Sequence, residues 1–395
     1  MGSVSGAGLV LLGATGSIGE SALDVVADLG ERFRVVGLSC HRRWRELARI
    51  AERTAPEAVA IADVEAWREA REAGAFQGLE CLPGPEGVTD LARWDGTAIV
   101  LNGIVGAAGL PATLAALEAG KRVALANKES LVVGGELVLR AAGEGDRLRP
   151  VDSEHNAIWQ LLRDRPREHV RRIVLTASGG PFRDMPRSRL AGVTPEQALA
   201  HPTWVMGPKI TVDSATLANK GLEIIEAHHL FGLDYDRIDV VIHPQSIVHG
   251  LVEYVDGTLF AELGEPDMRA PIRAALTSPE RVAVGEPVDL TRLSGLAFEA
   301  PDPERFPALG IARAAGETGG TAPAVFNAVN EVAVSAFLAG RIRFPQIPSL
   351  CESVLSEHDV QPADSVETLF EADRWARARA GERAGVEWTT IGTTG

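Results

Sequence analysis

The sequence predicts an α/β protein: an N-terminal Rossmann-type doubly wound sheet, an α+β middle domain and a C-terminal helical domain. Three observations carry this. The chain opens with a glycine-punctuated strand–helix unit and continues in strand–helix alternation to about residue 150. From Arg149 the alternation gives way to dense polar motifs. Beyond "FEAPDPERFPAL", Phe298 to Leu309, the apolar spacing is helical throughout. The expected units are therefore 1–150, 151–285, a linker over 286–310, and 311–395. A chain of 395 residues is too long for one ordinary core, so several units are the natural expectation.

Composition narrows the function. A net charge of −15 argues against nucleic acid or an anionic membrane as partner, but leaves room for a small anionic substrate in a local cationic pocket. No apolar run reaches membrane-spanning length, and no basic segment leads into a signal-type apolar core, so a cytoplasmic protein is expected. Cys40, Cys81 and Cys351 are odd in number and widely spaced, which fits neither a disulfide framework nor a metal motif. Among 39 basic residues the lysines are Lys121, Lys128, Lys209 and Lys220 alone. In so arginine-rich a chain, lysine marks places where a compact ammonium is needed, or simply compositional drift.

The opening run "GLVLLGATGSIGESALDVVADLG" is an apolar strand, a turn through Gly13, Gly16 and Gly19, and an amphipathic helix. Such a turn lets backbone N–H groups approach a pyrophosphate at a helix N-terminus, with Thr15 and Ser17 adding hydroxyls beside Ile18. The second strand, "FRVVGLSCHRRW", ends not in the acidic residue that holds a ribose 2′-hydroxyl but in Ser39, His41, Arg42 and Arg43. A hydroxyl and arginine there suit a 2′-phosphate, so NADP is favoured over NAD; Arg43 more than Arg42 reads as a solvated helical turn. "TAIVLN" runs into a small-residue loop from Gly103 to Gly106 suited to lie along the cofactor, and "RVALAN" ends at Asn127-Lys128-Glu129, facing the crevice.

The middle of the chain carries the chemistry. "PVDSEHNAIWQ" sets Asp152 and Glu154 two apart, a spacing that on an extended strand end aims both carboxylates one way. Glu223 and Glu226 follow at i, i+3 on an expected helix, Glu223 being the preferred third ligand. Three carboxylates without paired cysteines suit a hard cation such as Mg2+ or Mn2+. Ser214, Asn219 and Lys220 offer a hydroxyl, an amide and an ammonium, the groups a phosphate monoester needs. His201 to Lys209, with its prolines, Gly207 and an isolated Trp204, reads as a loop and a plausible lid. "VVIHPQSIVHGLVEY" reads as one strand with His243 and His249 on one face; His201 and His249 are the better substrate candidates. His228 and His229, about 100° apart on a helix, do not make a zinc site and read as surface or interface residues.

These motifs resemble the 1-deoxy-D-xylulose 5-phosphate reductoisomerase family. The resemblance rests on "GATGSIG", "ALANKESLV", "PVDSEHNAI", "SGGPFR", "HPTWVMGPKITVDSATLANKGLEIIEA", "IHPQSIVHG", "EPDMRAPI" and "FNAVNEVAVSAFL", and so covers nearly the whole chain. It implies that Asp152, Glu154 and Glu223 hold a divalent cation (Mg2+, Mn2+ or Co2+), with Glu226 close by. It implies further that Lys128 and Ser153 meet the substrate backbone, and that Ser178, Ser214, Asn219 and Lys220 hold its phosphate. His201, His249 and Trp204 then line or close the pocket. Gly13 through Ile18, Asn127, Glu129, Gly207 and Met268 belong to the NADPH side. Lys128, Asp152 and Glu154 are the expected catalytic residues.

The implied reaction rearranges a ketose phosphate to an aldehyde, then reduces it with NADPH to 2-C-methyl-D-erythritol 4-phosphate, in non-mevalonate isoprenoid biosynthesis. The implied assembly is a homodimer joined through the middle domain's strands. One departure stands out: Ser39-Cys40-His41-Arg42-Arg43 replaces the Gly-Lys/Arg-Asn type of turn expected at the second strand's end. Two other readings compete. A semialdehyde or homoserine-type NADP dehydrogenase has no use for three carboxylates, and the semialdehyde type needs a placed cysteine. A non-catalytic nucleotide sensor needs no metal.

Overall fold

The computed structural model describes residues 6–163, 165–204, 206–283, 285 and 287–386. Position 286, where the linker was expected to begin, and 387–395 lie outside the described residues.

Strands β1 (Ala7–Leu12), β2 (Phe33–Cys40), β3 (Ala58–Ile61), β4 (Glu80–Pro83), β5 (Thr97–Asn102), β6 (Arg122–Leu125) and β7 (Leu148–Pro150) form one parallel sheet. Their order is β4-β3-β2-β1-β5-β6-β7. The order reverses between β1 and β5, which opens the ligand crevice beyond the carboxyl ends of those strands. Successive side chains of β1 face opposite ways, so Leu9 and Leu11 enter one core and Val10 and Leu12 the other. With both faces covered by helices, the strands read as nearly continuous apolar runs. The turn after β1 requires glycine: Gly13 has φ +78°, and a Cβ there would lie 2.8 Å from the Gly103 carbonyl oxygen.

A second, mixed sheet holds β8 (Val170–Ala177), β9 (Ile238–Ile242), β10 (Val248–Tyr254) and β11 (Leu259–Leu263), ordered β11-β10-β8-β9. Helices Ser153–Leu162 and Ala218–Phe231 cover one face, burying Ile158, Ile173, Leu175, Ile224 and Val252 together. On the opposite face the buried cluster is Val174, Val248 and Leu251. β11 is an edge strand whose Leu259, Phe260 and Leu263 are exposed.

Helix Ala322–Leu338 is buried along almost its whole length among Ala308–Thr318, Gln346–Leu355, Val366–Ala384 and the nucleotide-side helix Glu129–Ala142. Its mostly small and apolar side chains suit a helix surrounded on all sides.

Two local expectations are corrected. The segment expected as one strand is β9, a connection over 243–247, and β10, so His243 and His249 do not share a strand face. Pro244 lacks an N–H, Ser246 takes φ +52°, and His243 Nε2 accepts the amides of Ile247 and Val248, which closes the connection. Asp152 and Glu154 do not lie on a strand end either. β7 stops at Pro150, Asp152 caps the Ser153–Leu162 helix, and Glu154 lies in its first turn.

Candidate active site

The neighbouring strands β6 and β7 deliver the first two charged groups at their carboxyl ends. After β6, the amides of Ala126 and Asn127 both donate to the Asn102 carbonyl at 3.0 Å, and Lys128 caps the next helix. After β7 comes Asp152. The third element is the Ala218–Phe231 helix, separated from Pro208–Thr216 by Leu217 at φ +62°. Asn219 and Lys220 occupy its first turn, and Glu223 and Glu226 follow at one-turn spacing on the same face.

These side chains converge. Lys128 Nζ donates to Asn219 Oδ1 at 2.9 Å, to Glu223 Oε1 at 3.0 Å, and pairs with Asp152 Oδ2. Lys220 Nζ donates to Glu154 Oε1 at 2.6 Å and also pairs with Glu223 Oε2. Ser153 Oγ donates to Glu154 Oε2 at 2.6 Å. His155, fully buried, bonds the Glu223 carbonyl through Nε2 at 2.9 Å. Its Nδ1 lies 3.6 Å from Asp152 and 3.5 Å from Glu226.

The electrostatics follow from burial against charge. Burial disfavours the ammonium of Lys128, yet Asp152, Glu223 and Glu226 outweigh it and hold its pKa well above the usual lysine value. Lys220 is raised in the same way, against burial, by Glu154 and Glu223. Asp152 runs the other way: burial opposes ionisation, but Lys128 and His155 hold it well below the carboxylate range. Glu154 is pushed up to about 7 by burial and the Glu223 charge. Glu226 rises to about 8, chiefly by burial, and His155 to about 9 because Glu226 and Asp152 overcome its desolvation.

This donor set fits a hard divalent cation. Four carboxylates crowd one place, and neither buried oxygen of Glu226 has a hydrogen-bond partner. One ligand atom each from Asp152, His155 and Glu223 lies within 4.8 Å of the others. Glu154, expected as a ligand beside Asp152 and Glu223, here faces Lys220 and Ser153.

On the nucleotide side, Gly13 N–H donates to Ser39 Oγ at 3.1 Å, and Ala14 N–H to the Ser39 carbonyl at 2.8 Å. Ser39 is buried, and its Oγ braces the glycine turn by accepting the Gly13 amide. Arg42 points to Asp63 at 3.6 Å, whereas Arg43, expected to be merely solvated, reaches the Thr15 carbonyl in the glycine loop. His41 is half-buried next to them. Asn127 Nδ2 shares its hydrogens among the Ile104 and Gly106 carbonyls (2.7 and 2.9 Å) and Glu129 Oε2 (3.0 Å). Gly103 packs on Ile18 beneath this loop. Gly16 and Ser17 open the Ser17–Leu29 helix, and Met268 packs on the same core.

On the phosphate side, His201 Nδ1 accepts the amides of Thr203 and Trp204, which leaves the proton on Nε2 to donate to Ser178 Oγ at 2.9 Å. Burial lowers the pKa of both His201 and His249, favouring the neutral rings. The Trp204 and His249 rings lie 6.4 Å apart. Gly180 brings the Ser178 turn against Ser214: a Cβ there would meet the Ala215 Cα at 2.9 Å. Of the four expected phosphate ligands, Ser178 lies on the turn whose Gly180 packs on the Ser214–Ala215 backbone, while Asn219 and Lys220 face the carboxylates. The described residues among 200–207 contain no regular element, but Pro208 and Lys209, expected at the end of that loop, open the Pro208–Thr216 helix that Gly207 caps.

Three residues carry more than the sequence suggested. His155 and Glu226 are both fully buried, with the His155 ring facing both Asp152 and Glu226. Lys209, to which no contact was assigned, bridges Glu129 and Asp213 at 2.9 Å each. The one local signal was the i, i+4 spacing of Lys209 and Asp213. His228 and His229 are half-buried, with His228 stacked on Tyr235 at 4.3 Å.

Comparison with known proteins supports the same reading. The family description 1-deoxy-D-xylulose 5-phosphate reductoisomerase matches residues 9–135, and those of its C-terminal domains match 148–231 and 263–379. The reductoisomerase of Thermosynechococcus vestitus is 50% identical over 382 residues, covering 95% of this chain and 92% of its own. That of Xanthomonas axonopodis pv. citri is 53% identical over 374 residues, covering 93% and 94%. Among solved structures, the Zymomonas mobilis reductoisomerase in complex with NADPH superposes with a TM-score of 0.88 at 44% identity, covering 96% of this chain and 99% of that one. A reductoisomerase complexed with NADPH, fosmidomycin and magnesium gives 0.90 at 39% identity, over 96% and 98%. With matches spanning nearly its whole length, the chain belongs to the 1-deoxy-D-xylulose 5-phosphate reductoisomerase family.

Proposed function

We propose that this chain converts 1-deoxy-D-xylulose 5-phosphate to 2-C-methyl-D-erythritol 4-phosphate in isoprenoid biosynthesis, using NADPH and a divalent cation, Mg2+ or Mn2+. The observation that carries this is the convergence of Lys128 and Lys220 on Asp152, Glu154 and Glu223, in a chain of this family. Asp152, Glu154 and Glu223 would hold the cation, with His155 and Glu226 behind them. A bound divalent ion supplies Lewis-acid stabilisation of charge on substrate oxygens, and NADPH supplies the hydride.

The chain's own residues do the rest. Lys128 and Lys220 act as counter-ions to the carboxylates, and with a cation sharing that charge their ammonium groups would be available to an anionic substrate. Lys128 neutralises charge on the substrate backbone, Ser153 orients it, and Glu154 moves a proton at a substrate oxygen. Ser178, Ser214, Asn219 and Lys220 take the phosphate. His201, as the Nε2–H tautomer, fixes the Ser178 hydroxyl, and the loop with Trp204 excludes water beside His249. Units 1–150, 151–285, 286–310 and 311–395 serve as NADPH-binding domain, catalytic domain, linker and helical brace.

The exposed apolar edge of β11 supports a homodimer paired through the second sheet. Among the described residues no helix is long and apolar enough to cross a membrane. Cys40 and Cys351 are buried with thiols pushed up by desolvation, which marks them as unreactive and disfavours a thiol-dependent dehydrogenase; free rather than paired cysteines support the cytoplasmic reading. A nucleotide sensor has no use for so costly a buried carboxylate cluster. The test is NADPH oxidation with deoxyxylulose phosphate, with and without Mn2+. Absence of metal-dependent oxidation rejects the proposal.

A further inference from the structure

A buried polar relay lies behind the site, and its centre is Lys209. The ammonium donates to Glu129 Oε1 at 2.9 Å and lies 2.9 Å from Asp213 Oδ2, out of line for a directed bond there, so charge makes the second contact. The Glu129 and Asp213 side chains are 9% and 1% exposed, and that of Lys209 16%. From Glu129 the relay runs through Asn127 to the loop after β5, the loop that walls the nucleotide crevice. From Asp213 it runs to the phosphate side, since Ser214 is the next residue.

Helix Ala322–Leu338, in the C-terminal third of the chain, clamps both ends with two adjacent residues. Asn330 Nδ2 donates to Asp213 Oδ1 at 2.7 Å. Glu331 Oε1 accepts the Ala107 amide at 3.3 Å, and its Oε2 accepts Arg377 at 2.7 Å. The loop needs Gly106 for this approach, as a Cβ would stand 2.6 Å from Glu331 Oε1 at φ +76°.

From this geometry we infer that Lys209 is a positioning residue: it ties the NADPH side of the site to the phosphate side, braced from behind by Asn330 and Glu331. The inference rests on the proposed reductoisomerase reading and deepens it. Without Lys209, two buried carboxylates face each other with no cation between them, and the loop and the Pro208–Thr216 helix separate. Lys209 touches neither the Asp152–Glu223 cluster nor the glycine turn, so its effect passes through Glu129 and Asp213.

The experiment compares wild type, K209M and K209R in full-length protein. NADPH dissociation is read from nicotinamide fluorescence, kcat from Mn2+-dependent NADPH oxidation, and folding from circular dichroism. In folded K209M the NADPH dissociation constant should rise about tenfold, and kcat should fall about 100-fold, the scale of a displacement near 1 Å. K209R, which keeps a cation between the carboxylates, should recover most of the NADPH affinity. A folded K209M with wild-type affinity and kcat overturns the inference, as does K209R as weak as K209M. If K209M does not fold, N330A, which removes the amide aiming Asp213 and no charge, takes its place. A raised NADPH dissociation constant supports the relay, and an unchanged one overturns it. Wild type lacking metal-dependent oxidation would reject the reductoisomerase reading instead, while the NADPH comparison would still decide the role of Lys209.

Discussion

Replacing Glu223 with glutamine keeps the side chain's size and removes one charge from the centre of the site. Glu223 is 1% exposed, and its two oxygens face Lys128 at 3.0 Å and Lys220. Neither lysine is orphaned by the change: Lys128 keeps Asp152, and Lys220 keeps Glu154 at 2.6 Å. The metal-free fold should therefore lose only about 1–3 kcal/mol, the cost of imperfectly satisfied buried partners. Catalysis should suffer more, because the proposed cation loses a ligand charge where negative charge develops on substrate. By analogy with the removal of one preorganised electrostatic group, kcat should fall about 10²–10³-fold, or about 2.7–4 kcal/mol. Glu223 has no contact with Glu129 or the Gly13 turn, so NADPH affinity should stay within about twofold of wild type. Two assays suffice: NADPH absorbance loss across a Mn2+ titration, and nicotinamide fluorescence on binding. Near-full metal-dependent turnover in E223Q would refute the assignment of Glu223. Parallel loss of NADPH binding would refute the claimed separation of the two sides.

The pH dependence of the metal-free protein should have a definite sign. Glu154 (about 7), Glu226 (about 8) and His155 (about 9) all lie above their unfolded values, so the folded state holds more protons than the unfolded one across that range. Stability should fall as pH rises from about 5 to about 9, and E226Q, which mimics the protonated carboxyl, should flatten the slope in thermal melts. Two glycine substitutions should separate the two halves of the site. G13A, at φ +78° and 2.8 Å from the Gly103 carbonyl, should weaken NADPH binding. G180A, at φ +65° and 2.9 Å from the Ala215 Cα, should raise the KM for deoxyxylulose phosphate while NADPH binding holds. Each carries at least about 1–2 kcal/mol of left-handed backbone cost. A charge on the β11 edge, F260D, should shift the protein toward monomer in analytical ultracentrifugation, and an unchanged sedimentation profile would move the interface elsewhere.

What the sequence made legible follows the range of the forces involved. The opening nucleotide unit was readable because its glycines and apolar period act within about thirty residues. Asp152 and Glu154 were readable as chemistry but not as geometry, since the chain passes from strand to helix between Pro150 and Ser153. His243 and His249 were misplaced onto one strand for a similar reason: a five-residue connection hid inside an apolar run. The partners of Lys209 lay furthest out of reach, with Glu129 80 positions away and Asn330 117 from Asp213. No local pattern in one chain encodes such a pairing.

The lysine scarcity nevertheless pointed inward, and the geometry explains why. Lys128 gathers three acceptors from separate residues, donating to Asn219 and Glu223 and pairing with Asp152. Lys220 and Lys209 each bridge two carboxylates. A guanidinium is a planar fork suited to one carboxylate taken edge-on, as Arg377 takes Asp373 with two of its nitrogens. Acceptors that surround a point rather than line an edge call for an ammonium. Lys128 and Lys220 also stand where a divalent cation would compete for the carboxylate oxygens and an anionic substrate for the ammonium groups. Lysine there is a counter-ion that can be displaced without leaving a void, which a chain otherwise committed to arginine has reason to retain.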